Sequence, residues 1–154
     1  MKTLCIVPCG VSKVWDKNPN AGPTAARNVY IGPFATVCRK YAEKFFPKSW
    51  CILSAKYGFL FPDDIVPGPY NVTFNKKKSE PITLNQLSSQ LKRKKLNRYN
   101  AVVVLGGKNY TNRIEILYSG VLIYSPLKNL RGMGYMMQKL RRAIITENPL
   151  LINP

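Results

Sequence analysis

Residues 3–10 read Thr-Leu-Cys-Ile-Val-Pro-Cys-Gly, an unbroken apolar run that ends at a proline and a glycine. A run of this kind is typical of a β-strand that is covered on both faces, as the strands of a parallel sheet are. Similar apolar runs lie at residues 50–53, 101–105 and 121–124. The sequence therefore predicts four buried strands, the first of them close to the amino terminus.

Helical patterns alternate with these runs. Apolar residues at helical spacing predict three helices. The first is marked by Phe34, Val37, Cys38, Tyr41 and Phe45, and the second by Leu84, Leu87 and Leu91. The third is marked by Met133, Met136, Met137, Leu140 and Ile144. A shorter helix is predicted over residues 114–118. We expect the methionines of the last helix to belong to the core. Residues 11–32 and 59–74 are predicted to be loops, and loops as long as the second are usually functional or disordered.

This alternation predicts the architecture. It favours a three-layer α/β fold with a four-stranded parallel sheet and helices on both faces. The length and the 45% hydrophobic content fit one domain over residues 1–154.

The charge balance points to the partner. Lys and Arg number 24 against seven Asp and Glu, which gives a net charge of +17. Such an excess is typical of proteins that bind polyanions, because neutralising phosphates releases their counterions. Nucleic acid is the expected partner, with DNA favoured over RNA and no membrane. A solubilising surface charge and binding to anionic lipid are the alternatives.

The composition also excludes several kinds of site. Histidine is absent, which rules out Ser-His and Cys-His nucleophiles and the common His-based metal sites. Cys5, Cys9, Cys38 and Cys51 lack C-x-x-C spacing and are expected to be reduced thiols. We expect no metal and no cofactor. We also expect no targeting segment and therefore a cytoplasmic protein. The protein is further expected to be a monomer.

Two loops follow the first and last predicted strands. One reads Asn-Pro-Asn-Ala-Gly-Pro over residues 18–23, and the other reads Ser-Pro-Leu-Lys-Asn-Leu-Arg-Gly over residues 125–132. The carboxyl ends of parallel strands meet at one edge of the sheet, where open α/β folds bind ligands. The sequence therefore predicts a single site at this edge.

Both loops resemble motifs of the uracil-DNA glycosylase superfamily. The resemblance implies that Asn18 activates water, that Ser125 and Pro126 pinch the DNA backbone, and that Leu127 fills the gap left by a flipped base. Arg131 of the same loop is a further expected nucleic-acid contact. Uracil-excising members carry an Asn at the end of strand two and a His before the Ser-Pro-Leu element. Neither is present here, so the resemblance implies a base other than uracil.

A second resemblance covers more of the chain. The elements Pro8-Cys9-x-x-x-Lys13, Tyr30-x-Gly32-Pro33 and Ser-Ala-Lys-Tyr-Gly-Phe-Leu over residues 54–60 resemble small proteins related to the peroxide-stress protein YaaA. The first element is also similar to the core of archaeosine synthase, which acts on a modified transfer-RNA base. Together the resemblances make the chain similar to anti-phage DNA glycosylases that excise hypermodified bases.

Catalytic candidates can be enumerated because carboxylates are few. Asp63 is favoured for water activation or cation stabilisation, and Asp16 comes next. A turn residue that bonds its own backbone is the alternative for Asp63. Lys13 could stabilise the departing base, contact phosphate, act as a nucleophile in an archaeosine-synthase-like reaction, or be a surface lysine.

The remaining candidates are binding residues. Tyr30, Tyr57 and Tyr70 could stack on an extruded base, although some of them could be core. Cys9 is a candidate contact or a small buried filler. Further expected contacts to the base or to the backbone are Ser54, Lys56, Asn71 and Lys108.

The expected function is therefore a DNA glycosylase that excises a modified base and leaves an abasic site. A phage hypermodified or glucosylated base is the first substrate to test. Three alternatives stay open: a transfer-RNA base-modifying enzyme with Lys13 as nucleophile, a nucleoside deoxyribosyltransferase, and a DNA-binding module without enzymatic activity.

Overall fold

The computed structural model describes residues 2–150. Its strands are β1 (Thr3–Pro8), β2 (Thr24–Ala25), β3 (Trp50–Ser54), β4 (Gly58–Leu60), β5 (Ile65–Val66), β6 (Ala101–Val104) and β7 (Leu122–Tyr124). Its helices are α1 (Val14–Lys17), α2 (Pro33–Phe45), α3 (Leu84–Arg93), α4 (Lys108–Leu117) and α5 (Met133–Thr146). Within the described residues, no helix combines the length and apolar character that crossing a bilayer requires.

A five-stranded sheet lies at the centre, with strand order β4-β3-β1-β6-β7. Strands β3, β1, β6 and β7 are mutually parallel, and β4 runs antiparallel to β3. Cys5 of β1 stands opposite Trp50 of β3 on one side and Val103 of β6 on the other. The opening apolar run therefore forms the central strand, which explains why it has no polar alternation.

The predicted α/β class and its four parallel strands are confirmed, but a sheet of four strands is wrong. The chain turns after Ser54 and returns as β4, which pairs with β3 from Ser54↔Gly58 to Ile52↔Leu60. Gly58 has φ +74°, and a Cβ there would lie 2.3 Å from the Gln90 side chain. All three residues of β4 are buried. So short a strand, buried on both faces, leaves no periodic pattern to recognise.

Helices cover both faces of the sheet. Helices α2 and α5 pack on one face and α3 and α4 on the other. Strand β1 supplies both cores, since Cys5 and Val7 point to the first and Leu4 and Ile6 to the second. Met136 and Met137 are partly buried as expected, whereas Met133 is 58% exposed because it opens helix α5 at the sheet edge.

Two predicted loops contain short regular elements. The region 11–32 holds α1, β2 and a 3₁₀ turn at Ala26–Asn28, and β2 pairs with β5 from the region 59–74. Helix α4 begins at Lys108, earlier than the helix predicted over residues 114–118. Both long loops are therefore tied to the fold.

The strand order places a crevice in the sheet. After β1 the chain passes through α2 to β3, and after β6 it passes through α4, on the opposite face, to β7. The carboxyl ends of the neighbours β1 and β6 thus flank a topological switch point, the usual ligand site of an open α/β sheet.

Candidate functional site

A cavity of about 380 Å³ occupies this switch point. Its volume lies in the range of natural small-molecule sites. Its walls are formed by the loop after β1, the start of α4, the segment 72–75 and single residues of α2 and α5. The lining residues are Pro8, Cys9, Gly10, Val11, Phe34, Val72, Thr73, Phe74, Asn75, Gly107, Lys108, Asn109, Tyr110 and Met133.

The segment 72–75 is fixed against helix α4. The Phe74 ring packs edge-on against Tyr110, with centroids 5.6 Å apart, and the Arg113 guanidinium lies 3.9 Å from the Phe74 centroid. The Asn109 amide donates a hydrogen bond to the Asn75 carboxamide oxygen. One wall of the cavity is therefore an aromatic surface edged by two carboxamides.

Cys9 stands at the floor of the cavity beside Tyr110. The Tyr110 hydroxyl donates to the Cys9 carbonyl at 3.2 Å and lies 3.3 Å from the Cys9 sulfur. Burial raises the pKa of the Cys9 thiol, and this outweighs the opposing effects of the Tyr110 hydrogen bond and the Lys13 charge. The group is a neutral thiol at pH 7 and hence a weak nucleophile.

Lys13 is a buried lysine, only 5% exposed. Its Nζ donates to the Val11 carbonyl at 3.0 Å and lies 4.4 Å from the centroid of the Tyr70 ring. The Asp16 carboxylate accepts from the backbone N–H of Lys13 at 2.8 Å. Within residues 2–150 the ammonium makes no ion pair, and burial lowers the pKa of Lys13, against smaller opposing effects of Cys9 and Asp16.

Three hydroxyl groups form a chain beside Lys13. Ser54 Oγ accepts the backbone N–H groups of Lys56 at 3.2 Å and Tyr57 at 3.1 Å. Its own proton is therefore directed to the Tyr70 hydroxyl, 2.9 Å away, which in turn bonds the Tyr30 hydroxyl. Burial raises the pKa of Tyr70 to about 12 and that of Tyr30 further, so both phenols are neutral.

This chain has more protons than internal hydrogen bonds. The hydroxyls of Ser54, Tyr70 and Tyr30 carry three protons, and two hydrogen bonds join them. One phenolic proton is therefore not used within the chain of hydroxyls and can be donated to an atom outside it.

Tyr70→Phe is expected to lower the free energy of unfolding by about 1–3 kcal/mol. The substitution removes the middle hydroxyl and leaves the Ser54 proton without its acceptor. Urea denaturation of this variant beside Tyr135→Phe, whose ring is 65% exposed, provides the measurement and its control. Equal stabilities of the two variants would show that the hydroxyl chain does not form.

The buried cluster adjoins the cavity through the loop after β1. Cys9 and Val11 line the cavity, and the Val11 carbonyl holds Lys13 Nζ. No lining residue carries a carboxylate. Lys13, Ser54, Tyr30 and Tyr70 do not themselves line the cavity, and the cation among its lining residues is Lys108. The loop after β1 thus joins the cavity to a buried cation and hydroxyl donors, groups suited to stabilising an atom on which negative charge develops.

Neither of the predicted catalytic carboxylates, Asp63 and Asp16, lines the cavity. Asp63 was expected at the carboxyl edge, and this placement is wrong because β4 runs antiparallel and returns the chain to the opposite end of the sheet. There the Asp63 carboxylate is 85% exposed and lies 3.1 Å from Arg27. Asp16 caps the backbone of α1, and Asn18 ends that helix with an exposed side chain.

The wedge expected at Leu127 does not project from the surface. Its side chain is 1% exposed and packs in the core between the sheet and helices α2 and α5. The Ser125 carbonyl accepts the Lys128 N–H at 3.1 Å in a turn, and Arg131 is exposed before α5. Neither Ser125 nor Arg131 lines the cavity.

The structure brings the other predicted residues together. Tyr57 packs edge-on against Tyr70 with centroids 5.4 Å apart, and Lys56 Nζ lies 5.5 Å from the Tyr70 ring. Asn71 is exposed next to Tyr70. At this edge a lysine follows each parallel strand. Lys13 is buried, whereas Lys56, Lys108 and Lys128 are exposed.

Sequence reasoning missed part of the cavity wall. Phe34, Asn75, Asn109 and Tyr110 line it, and Thr73 Oγ1 is buried there without a hydrogen-bond partner in the described chain. The Gly-Gly-Lys-Asn-Tyr loop after the third strand was the available signal for Asn109 and Tyr110. Within residues 2–150, no group of three or more Cys, Asp or Glu is arranged to hold a metal ion.

Comparison with known proteins supplies relatives over almost the whole chain. The profile of a family described as "Family of unknown function (DUF6884)" matches residues 5–142. The chain is also 43% identical over 151 residues to "Uncharacterized protein YfjM" of Bacillus subtilis (strain 168), a match that covers 97% of this chain and 100% of the relative. The cavity and the Lys13 cluster lie within the matched residues.

Proposed function

The chain belongs to the family of unknown function DUF6884, and we propose that it is a nucleic-acid N-glycosylase that excises a modified base and leaves an abasic site. The observation that carries this proposal is a set of donors next to the loop that walls the switch-point cavity: the buried Lys13 ammonium and the one phenolic proton of the Tyr30–Tyr70 pair that the chain of hydroxyls does not use.

Such donors match the leaving group of glycosidic cleavage. When the bond between C1′ and the base nitrogen breaks, both electrons go to the base, which becomes anionic, while the sugar becomes an oxocarbenium ion. A preorganised cation and a hydroxyl donor stabilise the developing anion in a site with little water. Lys13 and the Tyr30–Tyr70 pair therefore act on base departure.

The cavity accommodates the base. The Phe74 wall offers an aromatic face, and the Asn75 and Asn109 carboxamides can both donate to and accept from the edge of a base. Its volume of about 380 Å³ leaves room for a substituent on the base. A hypermodified base is therefore a better match than uracil.

The cations at the edge hold the backbone. Lys56, Lys108 and Lys128 surround the carboxyl end of the sheet, and enzymes that act on a base in a duplex must extrude its nucleotide and hold it by its phosphates. Since Leu127 is buried, extrusion relies on these contacts. Asn18, exposed on the loop after β1, places the water that captures the oxocarbenium ion.

The test is the release of a base. The protein is incubated with unmodified DNA, uracil-containing DNA and glucosylated phage DNA, and abasic sites are scored by alkaline cleavage while the free base is identified by mass spectrometry. Release from the glucosylated substrate with none from unmodified DNA is expected. The absence of abasic sites in all three substrates would refute the glycosylase proposal.

A second candidate function is a transfer-RNA base-modifying reaction with Lys13 as nucleophile. The burial of this amine, its lowered pKa and the absence of an ion pair within residues 2–150 favour it, because a neutral amine is the nucleophilic form. Intact mass spectrometry after incubation with transfer RNA distinguishes the two functions. An adduct lost in Lys13→Met would support this candidate, and free base without an adduct would support the glycosylase.

A further inference from the structure

A second groove lies at the opposite end of the sheet. It has a volume of about 250 Å³ and is formed by the starts of β1 and β3, the turn after β4 and the segment that leads into β6. Its lining residues include Arg27, Lys48, Phe61, Asp63, Arg98 and Tyr99. We name it the amino-end groove. None of its residues lines the switch-point cavity.

The groove lies in a region of uncompensated positive charge. Helix α3 ends in this region, and the basic run 92–95 leads from it to Arg98. The nearby carboxylates are already engaged, since Asp63 pairs with Arg27 and Asp64 accepts the Phe61 N–H at 2.8 Å. In the described part of the chain, seven cations here make no ion pair: Lys2, Lys48, Lys92, Arg93, Lys94, Lys95 and Arg98.

Aromatic rings are interleaved with these cations. Phe61 is 38% exposed, and Lys94 Nζ lies 5.7 Å from the centroid of its ring. The Arg98 guanidinium lies 5.3 Å from the ring of Tyr99, which is buried, so Phe61 is the ring available for stacking. Basic grooves with exposed aromatic rings are the usual surface for unpaired nucleic-acid strands, because phosphates bind the cations and bases stack on the rings.

The two sites face away from each other. The switch-point cavity lies at the carboxyl ends of the parallel strands and the amino-end groove at their amino ends. A strand of six residues separates them by about 20 Å.

We propose that the amino-end groove is a second nucleic-acid-binding site, which holds a single-stranded segment with phosphates on Lys48 and Arg98 and a base on Phe61. An unpaired base is required because a base within a duplex cannot present its face to the ring. The inference is independent of the reaction at the switch-point cavity, and its test needs no catalysis.

The test measures binding of a short fluorescein-labelled oligothymidylate by anisotropy over a range of salt concentrations. The double variant Lys48→Ala with Arg98→Ala is compared with Arg141→Ala with Arg142→Ala, which removes the same charge from exposed positions on α5. The groove variant is expected to reduce the slope of log affinity against log salt by about one to two, and the α5 variant is expected to leave it unchanged. Equal slopes in the two variants would overturn the proposal.

Stacking is tested separately. Phe61→Ala is expected to weaken oligothymidylate binding by about 5- to 150-fold. Ile145→Ala, which removes a side chain that is 79% exposed on α5, is expected to have no effect. A duplex of the same length should be insensitive to Phe61→Ala. An equal effect of Phe61→Ala on duplex and single-strand binding would show that the ring does not stack on an unpaired base and would refute a single-strand site.

Discussion

Lys13→Met is expected to slow base release by about 10²- to 10³-fold, the usual effect of removing one preorganised donor from the site of a developing negative charge. Methionine keeps the length of the buried stem and removes only the cation. Affinity for the substrate is expected to change little, because the exposed cations of the edge hold the backbone. Single-turnover kinetics and anisotropy measure the two quantities.

Lys17→Met is the matched control. Lys17 ends the short helix that begins after Lys13, but its side chain is exposed, whereas that of Lys13 is buried. Its rate of base release is expected to equal that of the unchanged protein. If Lys13→Met retained full activity while binding substrate normally, Lys13 would be a structural residue and leaving-group stabilisation would have to come from another group.

The pH dependence of the rate tests the same role. Burial lowers the pKa of Lys13, so the cation is present below that lowered pKa and is lost as the pH rises through it. Base release should therefore decline on the alkaline side at a lower pH than an exposed lysine would impose. In Lys13→Met this limb should be absent, and a limb that persisted would belong to another group.

Leu127→Ala is expected to lower the free energy of unfolding by about 2–5 kcal/mol, the usual cost of truncating a buried leucine. The side chain is 1% exposed and contacts the core beneath α2 and α5. Urea denaturation measures the loss, and Leu122→Ala, at a leucine that is 48% exposed, is the control. A surface wedge would give the opposite pattern, with stability unchanged and base release reduced.

The main architecture could be predicted because its signals are local. Residues 3–7 are apolar without alternation since β1 is covered on both faces, and Pro33 begins α2 at the helical spacing that the sequence shows. The placement of Lys13 and Ser54 at one edge followed from the parallel strands β1 and β3 that precede them.

The misplacement of Asp63 arose where a tight hairpin reverses the chain. Gly58 allows a turn after Ser54, and the resulting antiparallel strand carries Asp63 to the far end of the sheet. The local sequence does not show whether Leu127 packs in the core or projects from the surface as a wedge, because an apolar side chain suits both positions. The contact between Asn75 and Asn109 likewise depends on how a loop folds back over a helix.

The hairpin of β3 and β4 also bears on how the chain folds. Its pairs, such as Ser54↔Gly58, join near neighbours in the sequence, whereas β1 pairs with β6 through residues as distant as Ile6 and Val104. Closing a short loop costs little chain entropy, so we expect the hairpin to form before the parallel pairings. One edge of β3 is then already paired when β1 docks, so β1 can add only at the other edge of β3, and the position of the central strand is set before the slow-forming parallel pairings are complete.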